Sequence, residues 1–242
     1  MQFYYYFCSQ KKQMPYRRLP NTDSARIRAL KSAFAQGEKL SPKDLAYSQK
    51  TFLELKSFIP HFEQIVTQYK QNKERQAKTG KQLVEQFRVA RLFVSHFFQV
   101  VNLSILRGEL KPDVRKFYGI EESLKSIPEI GTEQQLIFWG DRLITGEENR
   151  MVAGATRIYN PSLAMVKVKY EQFLELHNSH KDFLTTSQKL QEKVTESRSH
   201  ADRLIVDIWN EVELTFENLS PEEKREQCQK YGLVYFLRAS EK

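Results

Sequence analysis

The chain has 242 residues, a formal net charge of +8, 40% apolar residues and 28% charged ones. With 9 Gly and 8 Pro it is too poor in turn formers for an all-β protein, while 16 Phe and 11 Tyr supply a core, so helix is the default expectation. No uninterrupted apolar run approaches the ~18 residues of a membrane span, and no cationic region precedes the short aromatic start as a signal peptide requires. The two cysteines, Cys8 and Cys228, stand at opposite ends without CxxC spacing, which excludes a disulfide framework or a zinc site built on cysteine and points to a cytoplasmic setting.

The charge is uneven. Residues 1–40 hold eight basic side chains against two acidic ones, a balance of +6 out of the +8, and the rest is close to neutral. This stretch reads as a basic arm with a short helix. Thr22 or Asn21 caps that helix, Ile27, Leu30 and Phe34 share its apolar face, and Gly37 is placed to end it.

Ser41-Pro42 reads as the next helix start, with Asp44 in the capping-box position. Leu45, Phe52, Leu55, Phe62, Val66 and Tyr69 follow as a coiled-coil-like stripe, interrupted by Pro60, which is expected to kink it. Residues 71–81 are polar. Apolar periodicity resumes at Leu83 and runs through Phe93, Phe97 and Val101 to Leu106, with Gly108 beyond. A short helix then opens at Pro112-Asp113 and closes at Tyr118-Gly119-Ile120, a glycine C-cap followed by an apolar residue.

The segment 121–159 reads as a linker with one helix, opened by a capping box from Thr132 to Gln135, with Leu136, Trp139, Leu143 and Ile144 on its apolar face. From Asn160-Pro161 onward the earlier pattern returns. Phe173-Leu174-Glu175-Leu176 repeats Phe52-Leu53-Glu54-Leu55, Arg203-Leu204-Ile205-Val206 answers to Arg91-Leu92-Phe93-Val94, and Tyr231-Gly232-Leu233 answers to Tyr118-Gly119-Ile120. This is the pattern of two duplicated units, 41–120 and 160–233.

The offset between copies is 121 positions at Phe52 and 112 at Leu92, so the first copy carries nine extra residues between them. Nine residues turn a helix face by roughly 180°. A loop absorbs such an insertion, and the repeat therefore predicts interhelical turns near 74–81 and 194–199, each unit being a hairpin of helices of ~30 residues. The tail from Leu233 to Leu237 is too apolar to be free and reads as a short strand or an extended cover. The expected architecture is all-α: an antiparallel four-helix bundle of two duplicated hairpins packed as one domain, with the 160–242 half carrying the tail.

Catalytic motifs are missing. There is no G-x-S-x-G, P-loop, G-x-G-x-x-G or H-E-x-x-H, and the chain reads as non-enzymatic, with no cofactor. His177 and His180 lie one turn apart on the apolar seam, a spacing that can present two imidazoles to a metal. No Glu-x-x-His accompanies them, and their counterparts in the first copy are Lys56 and Ile59. A ligand- or metal-binding seam is thus the alternative reading only. Glu54 and Glu175, the duplicated carboxylates, read as solvated residues beside buried neighbours.

The arm carries the functional expectation. Arg17, Arg18, Arg26, Arg28 and Lys31, with Tyr16 able to stack, form a surface for a protein partner first, for nucleic acid second, or for an anionic surface. If these cations are instead pinned down, acids such as Glu121, Glu122, Glu147 or Glu148 would hold them, and the segment would be a structural strap.

Met14-Pro15-Tyr16-Arg17-Arg18-Leu19-Pro20-Asn21-Thr22-Asp23, with Ile208-Trp209-Asn210-Glu211-Val212-Glu213 and Tyr231-Gly232-Leu233-Val234-Tyr235-Phe236, resembles a group of uncharacterised helical proteins of Bacteroidota-type bacteria. The resemblance spans Met14 to the C-terminus. It implies Met14 as the start and a bacterial cytoplasmic setting, and it brings no activity with it.

Overall fold

A computed structural model describes residues 16–122 and 126–236. The expectations placed on Cys8, Lys11, Lys12 and Met14 lie outside these residues. In chain order the elements are β1 (Tyr16–Arg17), α1 (Asp23–Lys39), α2 (Gln49–Leu106), a 3-10 segment (Pro112–Tyr118), α3 (Glu133–Val152), α4 (Leu163–Thr215), α5 (Pro221–Lys230) and β2 (Tyr235–Phe236). The described residues are therefore predominantly helical, as composition requires, with one short antiparallel strand pair.

Local signals set most of the helix ends. The Thr22 hydroxyl accepts from Ala25 N to cap α1. Thr132 with Gln135 and Ser220 with Glu223 close full capping boxes on α3 and α5. Gly119 and Gly232 adopt φ of 67° and 88°, and the amides of Ile120 and Leu233 reach back to the carbonyls of Arg115 and Cys228. Both are the Schellman closure expected from the sequence, and Gly108 ends α2 in the same way.

The expected turns do not form. α2 is one helix of 58 residues and α4 one of 53, so 74–81 and 194–199 are helical and the duplicated hairpins are replaced by two continuous helices. The polar stretch 71–81 has a different purpose. Asn72 Nδ2 donates to Ser187 Oγ at 2.6 Å and to the Phe183 carbonyl at 3.1 Å, and Ser187 Oγ donates to Gln76 Oε1 at 2.8 Å. Polar side chains here satisfy one another across a helix seam, which keeps a polar layer compatible with unbroken helix. Thr195 and Ser199, in the second expected turn, donate to the carbonyls of Gln191 and Thr195 four residues back, as side chains inside a continuous helix do.

Two other boundaries differ. Ser41 to Asp44 forms a hydrogen-bonded turn, and α2 starts eight residues later, where Ser48 Oγ accepts from Thr51 N. Gly37 does not end α1 but lies inside it, where the lack of a Cβ makes room for the Phe52 ring. In addition, an 18-residue window of α2 is apolar enough to cross a bilayer by length and composition, and 33% of it is buried within the chain. Counting uninterrupted runs missed this window because scattered polar residues break the run without outweighing it.

The chain divides into two compact units that do not follow the repeat boundaries. Unit 1 joins the described residues up to Lys70 with those from Lys189 onward, and unit 2 is Gln71–Gln188. In unit 1 the start of α2 runs antiparallel to the end of α4, and Leu30, Leu55, Phe62, Ile205, Ile208 and Trp209 are all but fully buried between them, α1 and α5. In unit 2 the core is Val94, Phe97, Leu136, Leu143, Val166 and Phe173. Burial of each such side chain contributes roughly 1.5–3 kcal/mol. The two copies of the repeated tetrapeptide accordingly serve different cores. Phe52 stacks on Phe34 at 5.3 Å in unit 1, and Phe173 packs against Phe87 at 6.0 Å in unit 2.

Unit 2 also encloses a charged cluster. Arg150 Nε and Nη2 donate to the two oxygens of Glu147 at 2.7 Å, Tyr118 Oη donates to Glu147 Oε2 at 2.6 Å, and Arg150 Nη2 reaches the Thr156 carbonyl. Glu147 and Arg150 are each 1% exposed. Such a cluster fixes one arrangement of α3 against the 3-10 segment, since any displaced partner leaves a charge buried alone.

Candidate functional site

The six residues expected to bind a partner all lie in unit 1, and the structure sorts the five cations among them into two groups. β1 pairs antiparallel with β2, Tyr16 opposite Phe236 and Arg17 opposite Tyr235, and Arg18 N donates to the Val234 carbonyl at 2.8 Å. Backbone pairing thus lays the strap along the C-terminal strand.

Three of the cations are held by acids. Arg17 Nη1 donates to Asn210 Oδ1 at 2.7 Å and to Glu213 Oε2 at 3.2 Å, and the other Glu213 oxygen accepts from Tyr235 Oη at 2.8 Å. Arg26 forms a two-pronged pair with Asp202 and lies 3.7 Å from Asp23. Lys31 Nζ is 2.6 Å from Glu63 Oε1. Arg198 joins the same system through a two-pronged pair with Asp23, which holds its guanidinium above the usual arginine range. These three cations thus pair within unit 1, with acids other than those the sequence suggested. Glu122, Glu147 and Glu148 pair with Lys116, Arg150 and Lys167 inside unit 2.

Arg18 and Arg28 are different. Both are exposed, and among the described residues neither makes an ion pair with a carboxylate. The Arg18 guanidinium lies over the Phe236 ring, 5.2 Å from its centroid, which orients it without neutralising it. Both arginines line a cleft of about 390 Å³ whose walls come from the strap, α1, the α5 end and the tail, and whose floor includes Trp209. Asn21, Ser32 and Gln229 add polar groups, and Leu19, Ala29 and Leu233 add apolar ones.

Gly232 shapes this cleft. Its left-handed φ turns the tail back, and a Cβ on it would lie 2.9 Å from the Ala29 carbonyl oxygen. Only glycine brings the tail this close to α1.

Sequence reasoning named Arg18 and Arg28 but missed Asn21, Trp209 and Gln229, because the cleft joins segments some 200 positions apart and no local pattern marks it. Tyr16 is half-exposed on β1, at the strand pair.

A second, larger groove of unit 1 runs between α2 and α4, lined by His61, Lys193, Glu196, His200 and Arg203 among others. Its charges are mixed, since His200 Nε2 already lies 3.1 Å from Glu54 Oε1 and Glu196 stands beside the cations. Glu54 is thus partnered, where the sequence suggested a plainly solvated acid.

His177 and His180 lie in unit 2. His177 Nε2 is 3.5 Å from Glu133 Oε2, its ring packs on Phe173, and its buried Nδ1 has no hydrogen-bond partner among the described residues. His180 faces Gly80, where a Cβ would lie 3.3 Å from its Nε2. Among the described residues no three His, Cys, Asp or Glu side chains converge as metal ligands would. Cys228 is buried, and burial raises its thiol above the ordinary range, as suits a packed side chain more than a nucleophile.

Compared with known protein families, with curated proteins and with solved structures, the chain matches none.

Proposed function

We propose that the chain is a non-enzymatic helical interaction module, cytoplasmic, that engages an acidic protein partner through Arg18 and Arg28. One observation carries the reading. Arg17, Arg26 and Lys31 of the basic strap are paired with acids within unit 1, whereas Arg18 and Arg28 are exposed at one cleft and, among the described residues, make no ion pair with a carboxylate. An arginine left unpaired beside a concave, partly apolar surface is the arrangement that partner carboxylates use.

Charge arithmetic favours a protein over nucleic acid. Each neutralised phosphate contributes about −0.9 to the salt slope of binding. The two cleft arginines alone give a slope of roughly −1.8, so a fourfold rise in salt weakens binding at this site only about tenfold, where proteins with six to ten phosphate contacts lose ~10³–10⁵. The metal-binding seam has less support, since His177 and His180 are turned toward Glu133, Phe173 and Gly80.

The test is paired affinity capture from native cells with wild-type protein and the Arg18→Gln/Arg28→Gln variant. A partner retained by the first and lost by the second, at equal helix content and melting temperature, supports the reading. Identical partner sets, or none, count against it.

A further inference from the structure

We infer that the Arg18/Arg28 cleft of unit 1 is a binding groove for an acidic peptide segment of a partner, one that carries an apolar side chain next to its carboxylate. The inference rests on the interaction reading above and adds the chemistry of what is recognised.

Size and lining come first. At about 390 Å³ the cleft falls within the ~300–1,000 Å³ range of ligand sites, and it joins an apolar floor to a few polar groups on its rim. A guanidinium presents parallel N–H donors matched to a carboxylate. Leu19 and Val234, both exposed, offer apolar surface beside the two arginines, above the buried Trp209 and Ala29. Asn21 and Gln229 each carry an amide able both to donate to and to accept from a peptide backbone. A lone inorganic anion uses only the first of these features.

Pre-organisation supports the same site. Arg18 is fixed at both ends, its amide by the Val234 carbonyl and its guanidinium by the Phe236 ring. Gly232 closes the tail against α1 so that Leu233 and Val234 form a wall. A side chain held in place before binding loses less entropy on binding.

Local electrostatics argue against a phosphate at the neighbouring helix end. The α1 N-terminus attracts anions in principle, but its Ala25 amide is taken by Thr22, and Asp23 occupies its first turn. Asp23 is itself tied to Arg198 at 2.6 and 2.7 Å. The free positive charge is therefore on the two guanidinium groups at the cleft and not on the helix terminus.

Trp209 serves as the reporter. The chain has two tryptophans, so the Trp139→Phe variant leaves Trp209 as the sole tryptophan, read with excitation at wavelengths that tyrosine does not absorb. This protein is titrated with a short capped peptide carrying paired glutamates between leucines, with its glutamine twin, and with inorganic phosphate. We expect a saturable change in Trp209 emission with the glutamate peptide, and binding about tenfold weaker or worse for the glutamine twin. Arg18→Gln/Arg28→Gln abolishes the change. Ala25→Leu, which keeps both arginines and fills the cleft wall on α1, abolishes it as well and guards against a merely charge-driven result.

Equal binding of the glutamate and glutamine peptides overturns the inference, as does phosphate competing as effectively as the peptide. No saturable change with any probe, while capture of a partner still depends on Arg18 and Arg28, overturns the peptide groove and leaves the interaction module standing. Loss of both results removes the two together.

Discussion

Arg26 grips Asp202 through two parallel hydrogen bonds, Nε to Oδ1 at 2.7 Å and Nη2 to Oδ2 at 3.0 Å. The pair ties the first turn of α1 to α4, and it separates this arginine from Arg28, two positions on, which faces the cleft.

The two arginines should therefore differ in what they do for stability. Arg26→Gln is expected to cost about 1–2 kcal/mol, a charge-assisted pair that is only partly shielded from water. Arg28→Gln should stay within about 0.5 kcal/mol, as for a surface change away from any structural contact. Urea denaturation of the two variants decides this, and equal midpoints would show that the Asp202 pair holds nothing in place.

Three helix-interior glycines invert the usual propensity rule. Alanine normally stabilises a helix by about 1 kcal/mol over glycine. At Gly37 a Cβ would lie 2.6 Å from Phe52 Cε2, at Gly140 2.6 Å from Tyr170 Cδ2, and at Gly146 2.8 Å from the Phe117 carbonyl carbon. We expect Gly37→Ala and Gly140→Ala to lose about 1–3 kcal/mol through overpacking. Gly146→Ala should be the worst of the three, because the obstacle is backbone. Thermal melts that rise in any of these variants would refute the close approaches.

The buried Tyr118, Glu147 and Arg150 cluster should behave as a unit. Tyr118→Phe is expected to cost about 1–3 kcal/mol by leaving a buried acceptor short of a donor. Arg150→Met should cost about 3–5 kcal/mol, since Glu147 is then buried without its counter-charge. Combining Tyr118→Phe, Glu147→Leu and Arg150→Met should recover most of that loss. Losses that simply add in the triple variant would show that the three side chains act independently.

Alkaline pH should loosen the fold. Burial, with Asp141 adding, pushes the Tyr170 phenol up to about 12, and burial raises Tyr47, Tyr118 and Tyr235 above the ordinary tyrosine value as well. A raised folded-state value means that the neutral phenol is the form the fold prefers. Its contribution is complete below the unfolded value near 10 and is lost as pH rises through the folded one, on the order of 2–3 kcal/mol for Tyr170. Melting temperature should hold steady up to about pH 9 and fall from about pH 10 upward. A melting temperature unchanged at about pH 11 would count against the buried phenols.

Those helix ends that are set by a cap or a glycine closure were legible in the sequence because each depends on a few neighbouring residues. Thr22, the Thr132–Gln135 box, Gly119, Gly232 and Phe97 take the places their patterns imply, while Phe93 is only half-buried. The interhelical turns were misread because polarity at 71–81 has two possible meanings, solvent or a partner across a seam. Only the distant residues Phe183 and Ser187 decide between them. The cleft was half-legible for a similar reason. Its arginines lie in an obvious basic stretch, while their lack of a carboxylate partner among the described residues is a property of the folded chain.

The make-up of unit 1 has a consequence for synthesis. Unit 2 is one contiguous stretch, whereas unit 1 needs both ends of the chain, and its Arg17–Glu213 contact spans 196 positions. On a ribosome the first seventy residues must wait until all of unit 2 and the end of α4 have been made. Their apolar faces, α1 among them, are meanwhile without the surface that covers them, and long-range closure of this kind is slow. Unit 2 is thus expected to gain amide protection first. Pulsed hydrogen exchange during refolding would show this as early protection around Val94 and Leu143, ahead of Leu30 and Phe62. The reverse order would mean that unit 1 condenses from its distant halves before the intervening chain has settled.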